Sequence, residues 1–393
     1  MQTTRRNTFK LATLALALGS LGLSATAAAD DDGEEGFRSG KVFTSTNGAA
    51  GNELLVYAPD SSGQLALLTR AATQGQGTGT GLGNQGAVTL SGNGKHLFVV
   101  NAQSNSVSTF AVRRAGITLE STVDSGGLRP ISVTEHDGVV YVLNAAGAGN
   151  VAGFRNDKGV LKPVDGSVRP LSASGGTASS QVGFSPDGDT LLVTEKATNK
   201  LTSYRVRGNG SIDAPVVTAS VGVTPFGFAF DRRGNALVSE AFGGAPNASA
   251  VSSYRFDQAA PAKPVVISAS VGTGQTAACW VVVTPNNRFA YVTNTGSGTI
   301  SSYAVAKSGA LSLLQGIAAT SGAGPIDAAI SANGRSLHVL NSGGHSISSF
   351  SINRDGSLAN PRADESGSNG GRSTSAPGFV GGLPVGANGL AAN

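Results

Sequence analysis

The chain carries a single cysteine in 393 residues. With Cys279 alone no internal disulfide can form, so stability in an oxidising compartment would rest on burial and sheet closure. Charge is also scarce: Asp, Glu, Lys and Arg make up 13% of the chain. They are scattered without a Lys/Arg run, which removes the electrostatic basis for binding nucleic acid or an anionic membrane. Long apolar runs are missing outside Leu11 to Leu23, a stretch interrupted by Gly19, Ser20 and Gly22 and short of the roughly 20 residues a membrane span needs. Past the first 29 residues there is no His-Glu-x-x-His, paired Cys-x-x-Cys or Gly-x-Ser-x-Gly element, which argues against a zinc protease or a nucleophile-elbow hydrolase.

What the N-terminus does contain reads as an export signal. Arg5, Arg6 and Lys10 precede the apolar stretch, and Ala25-Thr26-Ala27 or Ala27-Ala28-Ala29 supplies a small-x-small cleavage pattern. Thr4 to Lys10 resembles a twin-arginine signal with its aromatic displaced by one place; a Sec-type signal is the alternative. Removing residues 1–29 takes three basic residues from 28 and leaves 25 against 24 acidic, so the basic balance belongs to the precursor. Residues 30–39, with Asp30, Asp31, Asp32, Glu34 and Glu35, read as a solvated acidic segment. The expected location is periplasmic or secreted, without membrane insertion once the signal is gone.

From residue 40 onward one phrase recurs. Phe98-Val99-Val100-Asn101, Tyr141-Val142-Leu143-Asn144, Leu192-Val193-Thr194-Glu195, Leu237-Val238-Ser239-Glu240, Tyr291-Val292-Thr293-Asn294 and His338-Val339-Leu340-Asn341 follow one another at about 43 to 54 residues, and Phe43 to Asn47 is a looser copy. Each copy is followed by one aromatic: Tyr57, Phe110, Phe154, Tyr204, Tyr254, Tyr303 and Phe350. Short Val/Thr/Ser-rich alternating segments between Gly/Asn/Asp turns favour sheet throughout. The pattern predicts an all-β, seven-bladed propeller of four-stranded antiparallel blades over residues 40–393.

The turns between first and second strands are legible as chemistry, as in Ser91-Gly92-Asn93-Gly94, Ser185-Pro186-Asp187-Gly188 and Ser331-Ala332-Asn333-Gly334. One such hairpin is missing because it is split. Lys41 to Asn47 has no first strand before it, and Ala387 to Ala392 has no second strand after it; pairing them would close the ring and remove two open edges.

Antiparallel blades place all first-strand starts and second-strand ends on one face, around the channel mouth. That face collects Gln85, Arg129, Ser180, Phe226, Trp280 and Asp327, together with the Asn/Glu strand ends. The repeated Asn reads as structural. Glu195 and Glu240 put carboxyls where other blades put amides, and two carboxyls at one mouth can serve as acid and base or hold a cation; the competing reading is an exposed or Lys-paired Glu, with Lys196 and Lys200 nearby. His345 lies in a loop on the same face, and one His makes no zinc site by itself. Trp280 either stacks a ligand or packs between blades, and Cys279 reads as a buried small hydrophobe. The loop after Glu240 in blade five is long, with 14 residues to its aromatic where most blades use nine or ten. Gly81 to Gly86 matches a dinucleotide fingerprint by letter, but a strand follows it where a helix is required, so it reads as a flexible inter-blade loop.

Ser185-Pro186-Asp187-Gly188 followed by Leu192-Val193-Thr194, and Tyr291-Val292-Thr293-Asn294 followed by Ile300-Ser301-Ser302-Tyr303, resemble the seven-bladed lactonase propellers, the family of 6-phosphogluconolactonase and fungal carboxymuconate-lactonizing enzyme. The resemblance covers residues 40 to 393 and implies a propeller fold and lactone chemistry. The family's active members use His and Arg at first-strand starts, a Glu just after a second strand and another Arg. Here Ser180-Gln181 stands where a His would be expected, Phe226-Gly227 where an Arg-His pair would be, and Thr295 where the later Arg would be; Glu240 falls close to the family Glu. Two functions follow as expectations. One is hydrolysis of a lactone or ester, with Glu240 or Glu195 activating water and Arg129 or backbone donors stabilising the oxyanion. The other is a non-catalytic envelope binding propeller using Trp280, Phe226, Asp327, His345 and Asn side chains. Neither demands a cofactor, though calcium is compatible with the first. The expected partner is a small molecule, received by a monomer.

Overall fold

Alternating apolar and hydroxyl residues, punctuated every few positions by Gly, Asn or Asp turns, leave β-structure as the conformation that buries this pattern. The computed structural model describes residues 40–60, 64–256, 262–360 and 378–393, all within one compact unit spanning 36–393. Among them the only helical turn is a short 3₁₀ segment at Phe242–Gly244. The rest is seven antiparallel sheets of four lanes each, arranged as the blades of a ring.

Blade one is built from both ends of the chain. Val42–Ser45 pairs with Glu53–Pro59, which pairs with Leu65–Ala72, while the first strand is Asn388–Ala392. The later blades run in order along the chain, their first strands being Val88–Leu90, Leu128–His136, Ser179–Phe184, Pro225–Phe230, Ala278–Val283 and Pro325–Ile330. Neighbouring first strands pack side by side around the axis. The outer lanes of blades three and seven are each broken in two, as Val160–Pro163 with Arg169–Pro170 and Leu358–Ala359 with Gly378–Val380.

Closure between the termini is tight. Beyond the strand ladder, Lys41 N–H donates to Asn393 Oδ1 at 2.7 Å and Ser45 Oγ to the Asn388 carbonyl at 2.8 Å. The recurring turn is equally concrete: in Ser91–Gly94 the Asn93 carboxamide accepts from Ser91 Oγ and Lys95 N–H, while Ser91 Oγ accepts from His96 N–H. The same bonding recurs around Asp187, Asn286 and Asn333. All seven predicted aromatics are buried. They lie on third strands where blades meet, and Tyr204 and Tyr303 spend their hydroxyls on the carbonyls of Pro170 and Val271. The export segment 1–29 and acidic segment 30–39 lie outside the described residues.

Candidate functional site

In blades three to seven the ladder breaks at the start of the first strand. Register shifts fall between Pro130 and Ser132, Ser179 and Gln181, Pro225 and Phe228, Ala278 and Trp280, and Pro325 and Asp327. A bulge there turns a side chain out of the sheet and toward the channel mouth. The residue just ahead of each bulge is left-handed: Arg129, Ala178, Thr224 and Ala277 have φ of 58°, 47°, 58° and 56°, and Gly324 63°.

The Asn/Glu strand ends do not face that mouth. Asn101 Nδ2 donates to Ser108 Oγ on the third strand, and its Oδ1 accepts from Thr73 Oγ1 on the linker that arrives from the previous blade. Asn341 repeats this with Ser348 and Ser321. Glu195 and Glu240 occupy the same slot with the polarity reversed. Glu195 accepts from Ser172 N–H and Oγ, Thr198 Oγ1 and Thr202 Oγ1. Glu240 accepts from Gly222 N–H at 2.8 Å, Ser252 Oγ at 2.5 Å and Ser270 Oγ at 2.7 Å. Both residues are wholly excluded from solvent, at 0% exposure. In place of the expected acid–base pair or Lys-paired carboxyl, each is a blade-to-linker clasp in its own blade, and no bond joins them.

The channel mouth has a floor, and Gln85, expected on this face, is part of it. Leu82 to Gly86 enters the channel and is pinned there, in contrast to the flexible inter-blade loop expected from its glycines. Gln85 N–H donates to the Ser180 carbonyl at 3.2 Å and Gln85 Nε2 to the Val281 carbonyl at 3.3 Å. Asn84 Nδ2 reaches the Ile131 carbonyl, its Oδ1 accepts from Asn388 Nδ2, and its own carbonyl accepts from Trp280 Nε1 at 2.8 Å. Five consecutive residues thus tie blades one, three, four and six together. Asp327, in blade seven, joins the same assembly, its carboxyl accepting from the backbone N–H groups of Ala328, Leu390 and Gly86. Complete burial pushes that carboxyl up to about 8, against the pull of the three donors.

Above this floor sit the residues that a ligand can meet. Lys196 Nζ lies 4.2 Å from the centroid of Phe226 and donates to the Gly83 carbonyl at 2.5 Å. Phe226 leans on Trp280 with ring centroids 5.0 Å apart. Burial, opposed by Cys279 and reinforced by the exposed Arg129 guanidinium, lowers the Lys196 ammonium to about 8. Arg129 N–H is fixed by Asn105 Oδ1 at 2.7 Å. The long loop of blade five folds its 3₁₀ turn back on the rim, with Phe242 N–H bonded to the Val223 carbonyl and Gly243 N–H to Thr224 Oγ1.

Of the predicted site residues, the structure brings Phe226 and Trp280 into contact at the mouth, while Arg129 stands exposed at the bulge of blade three. Trp280 is enclosed beneath the mouth as packing, at 2% exposure, and Asp327 lies lower, in the channel wall. His345 is elsewhere, in the turn leading to the third strand of blade seven, where its carbonyl accepts from Leu383 N–H. Cys279 is the buried thiol expected, pushed up to about 12 by burial. In sequence Lys196 suggests only a partner for a nearby Glu, and its adjacency to Glu195 gives no sign that it points across to blade five. Among the described residues no three His, Cys, Asp or Glu side chains gather as a metal site would require.

A ring of seven four-lane antiparallel blades closed by pairing of the two chain ends defines a seven-bladed β-propeller. The chain belongs to the lactonase family of seven-bladed β-propellers, whose model matches residues 50–169 and 248–372. Among solved structures it is similar to a periplasmic gluconolactonase of Pseudomonas aeruginosa, with 19% identity, TM-score 0.64, 81% of this chain and 93% of that one covered. A 6-phosphogluconolactonase candidate from Bacteroides uniformis superposes with 18% identity, TM-score 0.66 and coverage of 88% and 98%. A functionally unknown protein of Desulfotomaculum acetoxidans gives 12%, 0.67, 89% and 97%. At these identities the likeness is one of fold. No curated protein matches the sequence.

Proposed function

We propose that the chain is an exported, lactonase-family propeller that binds a small lactone or the hydroxy acid derived from it at the mouth bounded by Lys196, Arg129 and Phe226. The observation carrying this reading is the half-buried Lys196 ammonium, held over an aromatic face at the one rim where bulges from several blades converge. Lactone as the ligand class rests on family membership and on the neighbouring gluconolactonase by analogy of fold.

Binding is favoured over turnover because Glu195 and Glu240 are fully satisfied and enclosed. Turnover remains the second reading on one observation: an amine lowered to about 8 is partly neutral near pH 8 and can accept a proton from water attacking a lactone carbonyl, with Arg129 facing the oxyanion. Calorimetric titration and hydrolysis assays with a lactone panel, on mature protein from residue 30, separate the two. Binding without hydrolysis, lost in Lys196→Met, supports the first. Hydrolysis rising with pH to a midpoint near 8 and lost in Lys196→Met supports the second. No binding or hydrolysis of any member rejects the mouth as a site. Export through residues 1–29 is tested by fractionating cells that express the precursor.

A further inference from the structure

Away from the mouth, we infer that the opposite face across blades five to seven docks an acidic polysaccharide, a linear chain whose anionic groups lie along an arc of arginines. The cations involved are far apart in sequence. Arg232 and Arg233, Arg288, and Arg335 stand in or beside the turns between first and second strands of blades five, six and seven, while Lys307 and Arg354 stand in the turns between third and fourth strands of blades six and seven. All six are exposed. Antiparallel blades place both kinds of turn on the face away from the mouth.

Direct contacts join these turns into one surface. Arg232 N–H donates to Asn287 Oδ1 at 2.9 Å, tying the turn of blade five to that of blade six. Gly309, two residues after Lys307, packs on Asn235 of blade five, where an added Cβ would stand 2.8 Å from the carboxamide carbon. Gly334 lies against the Pro285 ring, where an added Cβ would stand 3.1 Å away. Gly356, two residues after Arg354, packs on Phe289, and the same ring carries the Arg288 guanidinium 5.0 Å from its centroid. Tyr291 Oη holds that contact by donating to the Gly356 carbonyl at 2.9 Å.

Little negative charge answers them. Asp231 is buried and spends its carboxyl on its own turn, accepting from the N–H groups of Arg233 and Asn235 and from Asn235 Nδ2, and pairing with Arg233 at 3.4 Å. Asp355 accepts from Ser357 N–H and Oγ. Among the described residues Arg232, Arg288, Lys307 and Arg354 form no ion pair. Guanidinium groups present planar, paired donors matched to oxyanions. Between the cations, exposed Asn286 and Asn333 use their Oδ1 atoms within the turns and keep their carboxamide N–H donors for sugar oxygens.

The surroundings favour a chain over a bilayer or a nucleic acid. On the same face the corresponding turns of blades three and four carry Asp137, Asp187 and Asp189, all exposed, and no Lys or Arg. A flat anionic bilayer would be pressed onto these acids, whereas a chain can follow the cationic arc alone. The cationic turns expose no aromatic side chain and no aliphatic one larger than alanine or proline, so they have nothing to insert among acyl chains or to stack on a base.

Mature protein from residue 30 is titrated with polygalacturonate, with neutral dextran beside it. At about 50 mM salt we expect polygalacturonate to bind and dextran not to, with the affinity falling about tenfold or more at about 0.5 M salt. The triple variant Arg232→Ser, Arg288→Ser, Arg354→Ser should lose about tenfold or more in affinity, and the single change Lys307→Glu about threefold. Lys95→Ser, Arg114→Ser, Lys158→Ser together remove the same charge from blades two and three of this face and should stay within about twofold of the parent. Lys196→Met, at the mouth, should bind polygalacturonate as the parent does, which keeps this surface distinct from the small-molecule site. Circular dichroism and melting verify the fold of each variant. Equal loss in the two triple variants, or no binding of polygalacturonate, would overturn the surface. Tighter binding to poly-glutamate, phosphatidylglycerol vesicles or single-stranded DNA than to polygalacturonate would overturn the partner.

Discussion

Four side chains adopt a backbone conformation that L-residues pay to hold: Arg129, Ala178, Thr224 and Ala277, each directly ahead of a bulge at the mouth. Left-handed φ costs a non-glycine residue about 1 kcal/mol or more. Ala178 is exposed, so Ala178→Gly should stabilise the protein by about 0.5 kcal/mol, read as a higher denaturation midpoint. Ala178→Val should lower it. The enclosed carboxyls predict the opposite kind of sensitivity. Glu240→Ala strands three donors, those of Gly222, Ser252 and Ser270, and should cost on the order of 3 kcal/mol; Glu240→Gln, which keeps one acceptor, should cost about 1 kcal/mol. If Gln and Ala variants unfold at the same denaturant concentration as the parent, the clasp is not structural. Glu in place of Asn was visible in the sequence, yet its meaning was not. A serine or threonine seven residues on serves Asn101, Glu195, Asn294 and Asn341 alike, and the five extra residues of blade five move the counterpart of Glu240 to Ser252.

At the scale of the element, the strands and turns were readable because each rests on local chemistry. A Ser-x-Asn/Asp-Gly turn fixes its own hydrogen bonds within five residues, and a third-strand aromatic is buried wherever blades stack. The split blade was readable too, since a second strand without a first and a first without a second can complete only one another. Its energetic consequence is testable: deleting residues 382–393 removes the ladder to Val42–Ser45, the Asn388–Asn84 bond and the Leu390 donor to Asp327. It also opens two sheet edges. Melting should fall by more than about 10 °C, whereas an inert tail would leave it unchanged. The segment Leu82 to Gly86 misled for a physical reason: glycine and short polar residues signal freedom in a linker, but the same smallness lets backbone and carboxamides fill a narrow channel.

For the molecule as a whole, that filled channel sets a pH dependence. Asp327 has a folded value of about 8 against 3.8 when exposed, so between these values the native protein keeps a proton that the unfolded chain has lost, and stability falls as pH rises. His338, buried and lowered to about 4 from 6.5, works in the opposite sense and loses stability as pH falls through that range. From these two groups, stability should stay nearly level from about pH 4 to 6.5 and drop from 6.5 to 8. Asp327→Asn should abolish the upper drop in denaturation curves recorded across that range; persistence of the drop would acquit the carboxyl. Blade count, strand order and the closing pair of termini are legible along the chain, because they follow from repeated local patterns and from the need to satisfy every sheet edge. Only the closed ring decided the mouth. It brings Gln85 to Val281 and Trp280 to Asn84, each pair 196 positions apart, and sets Lys196 over Phe226 from a neighbouring blade; no periodicity along the chain encodes which side chains meet across an axis.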